Sequence, residues 1–240
     1  MKYFDEAKEL LAHSENSLKA IENDYKKSLN DKNVNSTLLI SIKNLMENLR
    51  SALDFVAHGL YEKYGNSSTN PKIYFPYASS GVDKAGYHNK KIIDKIPGLK
   101  NNRPDIAGVI ESYQHFSSIN NSWLPIFMDL NNENKHQRLT PQVRKETKQL
   151  NISSGGVSIS MGEGVSISMG QGAFIQIGNA TIMGGQTINV NNPANITGHA
   201  KQEIITWVSF HFSANDVPVM ELLQKSVTGV TKIVNELSVM

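Results

Sequence analysis

Residues 156–178 read GVSISMGEGVSISMGQGAFIQIG, an eight-residue unit repeated around Gly156, Gly164 and Gly172. Between the glycines, Val157, Ile159 and Met161, then Val165, Ile167 and Met169, alternate with serine. A period of two sends the apolar side chains to one face of a strand and the hydroxyls to the other, whereas a helix would scatter both around its circumference. Reading GEG and GQG as three-residue hairpin loops pairs Met161 with Val165 and Ile159 with Ile167, which gathers the apolar side chains on one face. The alternation continues through Ala173, Ile175 and Ile177. A two-residue loop at Gly184 and Gly185 then moves the apolar face to even numbers, where Ile188 and Val190 stand. The expectation is a glycine-punctuated antiparallel β-meander whose other face carries Ser158, Ser160, Ser166 and Ser168.

The rest of the chain follows a helical period. Phe4, Ala7, Leu10, Leu11, Leu18, Ile21 and Tyr25 predict an amphipathic helix over about 3–30. A second helix is expected over 36–64, with Ser36 as its N-cap and Gly65 at its stop. The pair forms an antiparallel hairpin. Shorter helices are expected in DKAGYHNKKIIDKIPG, near 104–117 and near 121–138. EIITWVSFHF reads as a strand with Val208, Phe210 and Phe212 on one side. In the closing helix, over about 217–238, Leu223, Val227, Val230, Val234 and Leu237 form a core-facing stripe. The expected class is α+β, mainly helical: a helical domain over 1–149, a β-meander insertion over 150–212 and a C-terminal helix over 213–240 that packs on the helical body.

Composition excludes several chemistries. The chain has no cysteine, so disulfides, thiolate metal sites and cysteine nucleophiles are absent. With 24 basic and 22 acidic residues, no global field selects nucleic acid or an anionic membrane. MKYFDEAKELL lacks a secretory pattern and no run is long enough for a membrane helix, so a cytoplasmic protein is expected. No HExxH, GxGxxG, phosphate-binding GKS or GKT, or GxSxG element occurs, so neither a cofactor nor an obligatory metal is expected. Two lysine-rich stretches, Lys84–Arg103 and Lys135–Lys148, read most simply as solvated loops, with phosphate contact as the alternative.

One polar constellation stands out. On the second helix Leu45, Leu49, Leu53, Val56 and Leu60 share one side, while Lys43, Glu47, Arg50, Asp54, His58 and Tyr61 share the other, with Arg50 and Asp54 one turn apart. NLRSALDFVAHGLYEKYG at 48–65, FPYA at 75–78, VIESYQHF at 109–116 and LNNENKHQRL at 130–139 resemble, in order, the motifs of an uncharacterised family of bacterial helical proteins. The resemblance covers about residues 38–140 and singles out Arg50, Asp54, Asn134, Lys135 and His136. Asn134 stands where that group carries Asp, and Gln137 where it carries Arg. The paired helices and the arginine–histidine cluster are also loosely similar to HEPN-type helical ribonucleases, although seven residues separate Arg50 from His58.

Two functions compete on this reading. In the first, the chain is a metal-independent ribonuclease-like protein of the toxin or phage-defence kind that acts on RNA. His136 is then the general acid or base, Arg50, Lys135 and Arg138 stabilise phosphorane-like charge, and Asp54 orients a cation. In the second, the same groups are a structural ion-pair network and the β-meander mediates self-association of a homo-oligomeric binding module. Pore formation by the alternating segment is a minor third reading, because its strands fall short of a bilayer.

Overall fold

The computed structural model describes residues 2–28, 35–66, 71–136 and 141–240, apart from the side chains of residues 88–90, 134–136 and 207. The described residues are 51% helix and 22% strand, which makes the fold α+β and mainly helical. It divides into a helical unit, Met1–Val143 with Phe210–Met240, and a β unit, Arg144–Ser209.

In the helical unit, α1 (Lys2–Ser28) and α2 (Ser36–Tyr64) form the expected hairpin. The N-cap of α2 is Asn35, whose side chain accepts the Thr37 N–H, one residue before the expected Ser36. The apolar stripe Leu45, Leu49, Leu53, Val56 and Leu60 is at most 1% exposed. Against it pack α7 (Val219–Ser238) and α6 (Trp123–His136), while α3 (Lys84–Lys95), α4 (Leu99–Asn102) and α5 (Pro104–Ser112) complete the unit. The expected α7 stripe is buried throughout. Among the described residues no helix is long and apolar enough to cross a membrane.

Segment 71–79 is extended yet belongs to no sheet, so its backbone groups need side-chain partners. Asp54 Oδ1 accepts the Phe75 N–H at 2.8 Å, and Gln114 Oε1 accepts the Ala78 N–H at 2.8 Å. Gln114 Nε2 and the Tyr87 hydroxyl both donate to Pro76 O. Burial beside Glu111 pushes the Tyr87 hydroxyl far above the usual phenol range, so it stays a donor. These bonds tie FPYA to α2, α3 and the end of α5.

The β unit keeps the predicted strands but not their predicted partners. The chain enters it along β1 (Gln142–Ser154) and leaves along β8 (Lys201–Phe212). Between them lie β2 (Val157–Gly162), β3 (Ile167–Ser168), β4 (Phe174–Ile177), β5 (Ala180–Met183), β6 (Thr187–Ile188) and β7 (Ile196–Gly198). The sheet orders are β2-β1-β8, β3-β6 and β4-β5-β7. Met161 therefore faces Leu150 rather than Val165, and Ile159 faces Ile152 while Ile167 faces Ile188.

Turn handedness explains the correction. In Gly162–Val165 and again in Gly170–Ala173 the fourth residue's N–H returns to the first carbonyl, and only the third residue, Gly164 or Gly172, has positive φ. Such unprimed turns splay their flanking strands, so each repeat steps from one sheet to another. Hairpins occur where the first loop residue has positive φ. Gly155 and Gly156, at 56° and 80°, join β1 to β2, and Gly178, at 54°, joins β4 to β5. The change of apolar parity thus falls at Gly178–Asn179, not at Gly184–Gly185: Ile177 pairs with Ala180, and Ala180, Ile182, Ile188 and Val190 are buried. The four repeat serines are exposed, but so are Val157 and Val165.

Candidate functional site

The polar side of α2 resolves into separate contacts. Lys43 and Glu47 pair at 3.4 Å, and His58 stacks on Tyr3 of α1 with centroids 5.4 Å apart. Arg50 and Asp54 form the expected i, i+4 pair, Nε to Oδ2 at 3.2 Å, with side chains only 17% and 20% exposed. Partial burial distinguishes this pair from a solvated one, because its partners are fixed on several sides. Asp54 also carries the Phe75 N–H. The Arg50 Nη1 meets Met128 Sδ on α6, and its guanidinium lies over the Tyr77 ring at 5.4 Å. Arg50 is thereby held rigidly by α2, α6 and the extended segment.

Around it opens a cavity of about 240 Å³ lined by Arg50, Tyr74, Phe75, Tyr77, Lys91 and Lys95. The two lysines come from α3, where Asp83 caps the N-terminus by accepting the Gly86 N–H. Their four-residue spacing puts them on one side of α3, while Ile92 and Ile96 are buried. Lys95 Nζ lies 5.3 Å from the Tyr74 ring centroid. Phe75 is buried, whereas Tyr74 and Tyr77 keep accessible surface. The cavity thus brings three cations and two tyrosines together, with Asp54 compensating Arg50. Such a site favours an anion with a planar or sugar-like neighbour.

Of the five site residues expected from sequence, Arg50 and Asp54 are in contact. Lys135 and His136 fall in the last turn of α6, the helix whose Met128 touches Arg50, but their side chains lie outside the described residues, as does Arg138 altogether. Tyr74, Tyr77, Lys91 and Lys95 were not singled out by the sequence. FPYA flagged the segment of the tyrosines, and the lysines fall in the short helix expected within DKAGYHNKKIIDKIPG, part of a lysine-rich stretch for which phosphate contact was the alternative to simple solvation. Among the described residues no three His, Asp or Glu side chains converge as a metal site. Compared with protein-family models, with curated proteins and with solved structures, the chain matches none.

Proposed function

We propose that the helical unit binds single-stranded RNA through the Arg50 cavity and acts on it as a metal-independent ribonuclease-like protein. The observation that carries this reading is the convergence of Arg50, Lys91 and Lys95 with Tyr74 and Tyr77. At about 240 Å³ the cavity is smaller than the roughly 300–1,000 Å³ typical of small-molecule sites. It suits one phosphate of a polymer crossing the surface better than an enclosed ligand. The tyrosines offer stacking platforms for exposed bases, which a duplex would keep hidden. In the catalytic step His136 would serve as acid or base, with Lys135 and Arg138 joining Arg50 at the phosphate.

The test is binding of a labelled, unstructured RNA in EDTA, followed by anisotropy, with strand integrity read over time. The Lys91→Gln/Lys95→Gln double variant is expected to bind about tenfold or more weakly, and its log–log salt slope should shrink by about 0.7, the value for one lost phosphate contact on a single strand. Unchanged affinity and slope would refute the RNA reading. His136→Ala should stop strand loss while leaving binding intact.

A second reading rests on a different observation. Phe174 and Met183 face each other across β4 and β5 yet are 65% and 54% exposed. An exposed apolar cross-strand pair supports self-association through the β unit. Phe174→Ser is then expected to lower the mass seen by light scattering, and an identical mass for both proteins would count against it.

A further inference from the structure

A larger cavity, about 650 Å³, lies elsewhere on the helical unit, between α7 and the turn that precedes α6. Its floor is Trp123, which is 6% exposed, and its open apolar wall is Ile119, which is 83% exposed. Gly229 in the middle of α7 allows this geometry: a Cβ there would lie 2.1 Å from Trp123 Cζ2. A glycine within a helix costs stability, so its place here follows from the close approach of the indole.

The charged groups on the rim have one sign. Lys225 and Lys232 line the cavity, and among the described residues no carboxylate does. Lys225 is engaged by Glu221 at 2.6 Å. Lys232 has no carboxylate within ion-pair distance among the described residues; its Nζ lies 5.6 Å from the ring of Tyr113, whose hydroxyl donates to Glu236 one turn further along α7. One ammonium is therefore left to face a ligand above an apolar floor. The volume falls within the range of small-molecule sites. A dianionic phosphate would leave one charge uncompensated against Trp123 and Ile119, whereas a monoanion with a flat apolar body matches both features.

We infer that this cavity binds a small aromatic carboxylate, its ring against Trp123 and Ile119 and its carboxylate on Lys232. The inference is independent of the RNA reading, since it uses none of the Arg50 cavity's residues.

The probe is naphthalene-2-carboxylate, with naphthalene-2-carboxamide as the uncharged isostere, titrated into the full chain carrying Trp207→Phe so that Trp123 alone reports. Saturable quenching of Trp123 is expected with a Kd on the order of 0.1 mM, a modest value for a ligand of this size. The carboxamide should bind about tenfold more weakly, and Lys232→Gln should weaken the carboxylate by about the same factor while leaving the carboxamide unchanged, because the lost contact is the charge-assisted one. Lys232 is exposed, so this variant is expected to fold normally. Absence of saturable quenching, equal affinity for acid and amide, or indifference to Lys232→Gln would each overturn the inference.

Discussion

Asp54→Ala is expected to lower the unfolding free energy by about 3 kcal/mol, since an unpaired buried donor costs roughly 1–3 kcal/mol and a broken buried pair more. The carboxylate accepts from two directions at once, the Arg50 Nε and the Phe75 N–H. Phe75 is 1% exposed, so water cannot readily replace the lost acceptor. Asp54→Asn keeps a side-chain oxygen for Phe75 and gives up only the charge, so it should cost about half as much. Arg50→Met leaves the Phe75 bond intact and removes one charge-assisted hydrogen bond from a pair that still touches solvent, so it should cost about 1.5 kcal/mol. Urea unfolding at constant m-value checks the series. Equal losses for all three would mean that Asp54 is not the pin for the extended segment.

In the β unit the largest loss is expected from Gly178→Ala. Gly178 has φ of 54°, and a Cβ would stand 2.1 Å from the backbone oxygen of Ser154. Left-handed backbone alone costs an L-residue about 1–2 kcal/mol. Moving Ser154 away also disturbs its hydroxyl, which donates to His199 O at 2.6 Å and accepts the Asn179 N–H at 3.2 Å. A total of about 3 kcal/mol corresponds to roughly a hundredfold drop in amide-exchange protection over 150–198. Gly172→Ala provides the control: its φ of 83° is as unfavourable, but nothing lies within 4 Å of the added carbon. It should cost only the backbone part. Equal protection losses in the two variants would remove the Ser154 contact from the explanation.

These contacts also mark where the sequence stops being informative. The helices were legible because burial on one side leaves a 3.6-residue trace, as in Leu45 through Leu60. The strands of 157–190 were legible through alternation, but alternation specifies a face and not a partner. Partner choice depended on whether a loop's first residue takes positive φ, which the letters GEG, GQG and GG do not reveal. The first half of β1, VRKETKQ, carries charges at most positions and so offers no apolar period at all. At the candidate site, Arg50 and Asp54 could be joined from their spacing alone. Tyr74 and Tyr77 reach Arg50 through the tertiary bonds of Asp54 and Gln114 to the extended segment, and α3 with Lys91 and Lys95 is tied to that segment by Tyr87, relations no local pattern encodes.

RNA contact at the Arg50 cavity is the central expectation. The most direct measurement is an amide chemical-shift map of the labelled chain titrated with a single-stranded RNA of about eight nucleotides, within the roughly 4–16 nucleotides that single-strand sites commonly cover. Shifts concentrated at residues 74–77 and 91–95, and lost in the Lys91→Gln/Lys95→Gln variant, are the predicted result. Shifts confined to the β unit, or none at saturating RNA, would contradict it.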